Sequence, residues 1–542
     1  MKSQDGLSVS SWMEERSEPI AFPATSALSS HQTCDVCVVG AGIAGLTIAY
    51  FLKREGKSVI VLDSGNIGGG QTGRSTAHAV NAMDDRYGDL ERLHGAAVTT
   101  LVAQSHTAAI NTLEKIIQRE NIQCDWERVD GYLFQSSESD QPQLMKELES
   151  ARNAGLKDLH WVDQVPLPFN AGHGIRFPRQ GQFHPLKYLS GLARAIRSDG
   201  SDQPQSRIFT QSSVIKIQGG KESHVMTREG YTVDADEIVV ATHTPINDRI
   251  AIHTKQAAYR TYVLGARIPR GSVPHCLFWD TDEPYHYVRV SPHPMAKNFE
   301  LLIIGGEDHK TGQEEAPGQR YLALEQWARS RFSMIEGIEY QWSGQIMEPV
   351  DGLAFIGKNP MDEDNVFIVT GDSGNGITHA TLGGILITDL IQGRPNPWEK
   401  IYRPDRINLK SSPRYAKENS NTLLQYVDWL RDPEITGPGE VGRGEGAVFK
   451  RGMHPIAAYR DSVGTLHECS AVCPHLGGVV HWNSAEKTWD CPCHGSRFDP
   501  FGKVVNGPSI EDLKEFDCEA EIPLSAKKIT EISQTDLLSD PA

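Results

Sequence analysis

An apolar run, Asp35-Val36-Cys37-Val38-Val39, leads directly into Gly40-Ala41-Gly42-Ile43-Ala44-Gly45, and a second run, Ser58-Val59-Ile60-Val61-Leu62, ends at Asp63. The stretch between them, Leu46 to Arg54, carries a helical pattern, so the segment reads as strand, glycine turn, helix, strand. This constrains the fold more than anything else in the chain. Glycines are needed where the turn is tight and the backbone must approach a pyrophosphate, and the helix N-terminus supplies unpaired N–H groups and positive potential. An acid at the end of the second strand accepts a ribose hydroxyl. The expected ligand is a dinucleotide, with flavin and nicotinamide both open at this point, touching Gly40, Gly42, Ile43, Ala44, Gly45, Asp63 and Ser64.

Such a unit fills only a small part of 542 residues, and that length predicts several domains. Residues 1–31 are Ser-rich and are expected to form a mobile tail with a docking point at Trp12. They lack an apolar targeting core, which sets the cytosol as the expected compartment. The longest uncharged apolar run, Val36 to Leu52, is broken by glycines and too short to span a bilayer. A net charge of -17 repels phosphate backbones and anionic lipid, so no nucleic-acid partner is expected. Stretches at about 84–160 and 255–340 carry no nucleotide signal and predict a discontinuous α+β substrate domain inserted into a unit spanning 32–405. A polar helical linker at 406–439 then leads to short strands and turns at 440–535, an all-β C-terminal domain.

Four of the nine cysteines lie between 469 and 493. Within this stretch Cys473-Pro474-His475 and Cys491-Pro492-Cys493-His494 form two loops, each offering a thiolate and an imidazole. Two cysteines on one iron and two histidines on the other ligate a [2Fe-2S] cluster. The same four side chains would also fill a tetrahedral zinc site, but the glycines after both histidines and the string Cys491 to Ser496 weigh against zinc. Cys34 and Cys37 alternate along the first strand and are assigned to packing; Cys124, Cys276, Cys469 and Cys518 have no site-like spacing.

Further segments complete the pattern: Gly68 to His78, Val239-Val240-Ala241-Thr242, Trp342 to Gly357, and Gly371 to Gly384. Together with the glycine turn they resemble the amine and D-amino-acid oxidase superfamily of FAD enzymes. The resemblance implies a Rossmann-type FAD domain in which Gly70, Thr72, Arg74, Ser75 and Thr76 also meet the cofactor. Gly374, Asn375, Gly376 and Thr378 would stand at a helix N-terminus facing the flavin pyrimidine. Ser75 to Ala79 is similar to the segment whose histidine holds FAD covalently in dimethylglycine dehydrogenase, which makes His78 either an attachment point or a residue packed beside the ring. Sarcosine-type oxidases place a carboxylate-binding lysine where this chain has Thr378, so a small α-amino acid is a less secure substrate. Candidates for the catalytic face are His78, His184, Tyr285, Tyr287, His309 and Glu348, with His286, Arg289 and Lys310 near them; a packing role is open for each.

The cysteine loops resemble a Rieske domain, with Gly507-Pro508 matching its third loop. Two departures from respiratory Rieske proteins stand out. Cys493 faces Gly478, so the usual loop disulfide has no second cysteine, and Phe498 replaces a tyrosine donor while Ser496 remains. Losing a donor to sulfur lowers the potential. Only about 45 residues follow His494, too few for an oxygenase domain, and no second nucleotide unit is found. The combination predicts an FAD-dependent oxidoreductase that dehydrogenates a C–N bond of an amine or amino-acid-like molecule and passes electrons through the cluster to an external acceptor. The alternatives are a flavin oxidase with a structural or sensing Rieske domain, and a non-enzymatic electron-transfer module.

Overall fold

The computed structural model describes residues 5–14, 20–197, 205–247, 251–429 and 435–515. The strand Gln32–Val39 lies at the centre of an eight-stranded sheet, flanked in parallel by Val59–Leu62 and Thr232–Val240. Val366–Thr370 extends the parallel set beyond Thr232–Val240. These strands read as unbroken β-branched runs because helices cover the sheet, and the helices Ile43–Arg54 and Gly376–Ile391 pack against each other there.

The second sheet has nine strands, with Gln256–Pro269 paired to both Phe299–Lys310 and Gly337–Pro349. It also takes in Gly174–Gln182 and His78–Ala79, which lie outside the 84–160 and 255–340 expected for this domain. The helix Ala96–Arg119, inside those bounds, packs instead on Gly376–Ile391 of the first unit. Side-chain periodicity marks each strand but not the sheet it joins, since pairing partners lie far away in the chain.

The C-terminal part forms a three-stranded sheet, Glu445–Arg451, His454–Arg460 and Leu466–Ser470, and a four-stranded one from His481 to Asn506. Both cysteine-histidine loops join strands of these sheets. The expected stretch 516–535 lies outside the described residues.

The expected mobile tail is contradicted where it is described. Asp5, Ser10 and Trp12 are buried, and the Trp12 Nε1–H donates to Ser75 O at 2.7 Å. Asp5 pairs with Arg497 of the C-terminal part at 2.7 Å and stands 3.6 Å from both Arg74 and Arg260 of the flavin-type lobe. Glu486 and Asp490 complete this buried group of three acids and three arginines. The polar composition of the tail suggested solvation, but its acid is what balances charge at the seam between the lobes.

Candidate functional site

The strand ends Val39, Leu62 and Ala241 open onto a cavity of about 390 Å³. At its mouth Gly40 has φ +109°, and a Cβ there would meet Ala241 O at 2.5 Å; a Cβ on Gly45 would stand 1.9 Å from Gly40 O. Gly45 therefore supports the turn from behind, while Gly40, Gly42, Ile43 and Ala44 line the cavity. Asp63 accepts from Ala41 N at 2.6 Å and Gly65 N at 2.8 Å, and Ser64 lies beside it on the wall. Burial raises the Asp63 carboxyl although these two N–H groups favour its charged form. These features form a cradle for a dinucleotide that any side chain larger than hydrogen would fill.

The cavity continues past Gly70, Thr72, Ser75, Thr76 and His78 to Tyr285, Tyr287 and the N-terminus of Gly376–Ile391. Thr72 Oγ1 accepts from Ile43 N at 3.0 Å, so it caps the first helix as well as lining the wall. Gly374, Asn375 and Gly376 present the positive end of the late helix to the cavity, and Asn375 Oδ1 accepts from Asp84 N at 3.2 Å. His78 Nε2 is buried without a hydrogen-bond partner, and its ring meets Trp279 and Tyr287 edge to face. Burial, with Arg289 nearby, pushes the His78 imidazole down to about 3, so it is neutral with a lone pair available.

Several expected residues do other work. Arg74 reaches the cavity wall, but its guanidinium belongs to the charge group, donating to Ser343 O at 2.5 Å and Ser8 O at 2.8 Å. Thr378 lies outside the lining and braces the segment below it, exchanging hydrogen bonds with Val80 N and O at 3.0 Å. His184 is placed away from this cavity, edge-on to Trp12 at 5.0 Å in a separate 250 Å³ space with Arg289. His309 bonds Tyr262 Oη at 2.8 Å and Lys310 O at 2.7 Å, also off the lining. His286 points away from Tyr285 and Tyr287, stacking on Trp327 at 4.2 Å. Glu348 stands one layer back and accepts from Ser373 Oγ at 2.9 Å. In a bulged, nine-stranded sheet the chain alternation shows only which residues share a face, not which face meets the cavity.

Apart from Glu348, sequence reasoning missed a cluster of carboxyls. Asp84 and Asp372 line the cavity beside Tyr285, with Asp85, Asp308 and Glu348 behind them. Burial is the main force raising Asp84, Asp308 and Glu348, opposed at Asp84 by Arg86; Asp308 is pushed up to about 7. The Tyr285 and Tyr287 rings lie 5.8 Å apart, and both phenols are raised by burial. The sequence signal, Asp84-Asp85 and the isolated Asp308, carries no motif.

In the C-terminal part the structure brings Cys473, His475, Cys491 and His494 together. The two imidazoles are 5.0 Å apart at 90°, the two thiols are buried, and His494 Nδ1 is buried without a hydrogen-bond partner. A Cβ on Gly478 would stand 2.5 Å from Cys493 Sγ and 3.3 Å from Cys491 Sγ, so the bare glycine makes room for sulfur. The buried Ser496 hydroxyl lies beside Cys473 and accepts from Ser509 N at 3.0 Å, whereas Phe498 is wholly buried apolar packing. Two thiols and two imidazoles converging from paired loops fit a [2Fe-2S] group. The linker adds an unforeseen brace: Tyr426 Oη donates to Leu476 O at 2.9 Å and Trp429 Nε1 to Gly477 O at 3.0 Å.

The two sites adjoin. Val504 to Gly507 and Ser509-Ile510 of the C-terminal part help line the cavity of the flavin-type lobe. Gln345, another lining residue, donates through Nε2 to Gly495 O at 3.1 Å, directly after His494. Among the described residues no helix is long and apolar enough to cross a membrane.

The FAD dependent oxidoreductase family matches residues 35–390, and the Rieske [2Fe-2S] domain matches 434–517. The chain is 31% identical, over 92% of its own length and 96% of the relative's, to the putative Rieske 2Fe-2S iron-sulfur protein YhfW of Bacillus subtilis (strain 168). It is 25% identical to the gamma-glutamylputrescine oxidoreductase of Escherichia coli (strain K12), over 68% of this chain and 85% of that one. The fold resembles the glycine oxidase of Geobacillus kaustophilus, with a TM-score of 0.57 and 18% identity over 69% of this chain and 99% of that one. The chain thus belongs to the FAD-dependent oxidoreductase family, an enzyme with FAD as its flavin and a C-terminal Rieske domain for a [2Fe-2S] cluster.

Proposed function

We propose that this enzyme dehydrogenates a C–N bond of a cationic amine or amino-acid-like substrate, and that electrons leave through a cluster held by Cys473, His475, Cys491 and His494 to an acceptor outside the chain. The observation that carries this reading is Gln345, which lines the cavity and bonds the loop of His494, joining the two sites. When bound, FAD supplies a two-electron acceptor able to release electrons singly.

The chain's own residues supply the rest. Asp84 and Asp372 draw an ammonium group into the cavity, and the faces of Tyr285 and Tyr287 hold its alkyl chain. Hydride leaves a carbon next to nitrogen only when the nitrogen is neutral, so the amine must lose its proton first. Asp308 stands behind Tyr285, and its carboxyl, pushed by burial up to about 7, is suited to hold that proton near neutral pH. Water then hydrolyses the product imine. Thr378, occupied with Val80, offers nothing to pair a substrate carboxylate, which supports an amine over a small α-amino acid. The Escherichia coli relative, named for gamma-glutamylputrescine, supports the same class.

The test adds secondary and tertiary amines, amino acids and polyamines to the protein without oxygen, recording flavin absorbance and cluster EPR together. Flavin bleaching with a reduced-cluster signal is the expected result. Bleaching with an oxidised cluster refutes the wire and favours an oxidase. No response, while dithionite reduces both centres, refutes the substrate class.

A further inference from the structure

His253 belongs to the flavin-type lobe, in the turn before the strand Gln256–Pro269, yet it reaches the cluster loops. Its ring centroid lies 4.9 Å from that of His475 and 5.7 Å from that of His494, at interplanar angles of 77° and 60°. With the 90° crossing of His475 and His494, each ring of the triad presents an edge to another's face. His253 is 3% exposed and His494 9%, while His475 is partly exposed. The turn is held on both sides: Ile252 is packed with Val240 and Phe355, Thr254 O accepts from Asn419 of the linker helix at 2.9 Å, and Lys255 Nζ reaches Pro404 O at 3.0 Å. The turn that carries this ring is therefore held by the flavin lobe and the linker.

We propose that His253 is a positioning residue for the cluster, shielding its histidine side, His494 above all, from water and holding its reduction potential down. Two ferric ions, two sulfides, two thiolates and two neutral imidazoles sum to zero charge, and one added electron makes the group an anion. Water at the imidazoles stabilises that anion, so excluding water disfavours the reduced form. The edge-on contacts also fix the ring planes of His475 and His494, as outer partners of ligating histidines do. This inference rests on the ligand assignment proposed above and is independent of the substrate.

The test is a dithionite titration of the full-length protein followed by cluster EPR, comparing wild type, His253→Ala and His253→Phe. Removal of the ring is expected to favour reduction about tenfold, a rise of about 59 mV for one electron. Phenylalanine, which restores the packing without the nitrogens, is expected to stay within about threefold of wild type, a fraction of that rise. An unchanged alanine variant overturns the proposal. So does an equal shift in both variants, because the ring nitrogens would then be responsible rather than the shielding. If the alanine form does not retain iron, His253→Asn opens the same face with a smaller side chain and is judged by the same criterion. Wild type lacking any reduced-cluster signal would refute the ligand assignment itself, a failure separate from an unchanged potential.

Discussion

Glu486 offers the most direct check on how the lobes are held together. Its carboxylate is fully buried, 3.4 Å from Arg74 Nη1 and 3.3 Å from Arg260 Nη2, and it accepts from Ser343 Oγ. Burial alone would raise this carboxyl; instead Arg74, Arg260 and Arg497 pull it down from 4.5 to about 2. A depression of that size corresponds to about 3 kcal/mol at about 1.4 kcal/mol per unit. Breaking a buried ion pair costs a similar ~3–5 kcal/mol. Glu486→Gln keeps the shape but leaves three arginines facing two acids. Urea unfolding at pH 7, read separately at the cluster band and by flavin fluorescence because a multidomain chain need not unfold in one step, is expected to show a loss of about 3 kcal/mol. Adding Arg260→Met should recover part of it by removing the uncompensated charge. The sign with pH follows from the lowered carboxyl. Its contribution is fully present above the unfolded value of 4.5 and is lost as pH falls toward about 2. The variant should therefore lose less stability than wild type over that window. A loss below about 1 kcal/mol at pH 7, the size of an exposed pair, would refute the keystone role.

Gly45→Ala places a Cβ 1.9 Å from Gly40 O and should give protein without bound flavin, seen as a missing visible flavin band, while the cluster EPR signal persists. Ser496→Ala removes the hydroxyl beside Cys473; if that hydroxyl donates to the sulfur with about 1.5 kcal/mol more in the reduced state, the midpoint potential falls by about 60 mV, measured by the same EPR titration. Asp84→Asn should weaken reduction by cationic amines about tenfold or more, with the loss greatest at high pH. The reason is that burial raises the Asp84 carboxyl, so its charge and its pull on an ammonium group grow as pH rises above the ordinary carboxylate range. Anaerobic stopped-flow across pH 6 to 9 reads this as an apparent Kd that no longer tightens with pH in the variant.

Much of this protein is local in the chain. The turn Gly40 to Gly45 with Asp63 fixes a dinucleotide cradle because backbone conformation and close approach leave glycine no substitute there. The loops at Cys473 and Cys491 fix a cluster-type ligand set because thiolate and imidazole spacing within short loops is itself the chemistry. Single side chains on long strands were less legible. Tyr287 lines the cavity with Tyr285 just before it, whereas His309 on its strand lies off the lining and Glu348 one layer back, a difference decided by sheet register and a bulge rather than by residue type. The carboxyl cluster of Asp84, Asp308 and Asp372, the bridge from Gln345 to Gly495, and the contact of His253 with the cluster histidines all join residues far apart in sequence. Asp5 shows the same division: in the chain it is one acid in a polar terminus, and in the fold it is buried among Arg74, Arg260 and Arg497. The sequence determined which cofactor chemistries the chain can hold, because those depend on short-range geometry. Only the tertiary structure decided that the C-terminal loops adjoin the flavin-type cavity, because long-range packing and charge balance bring those segments together.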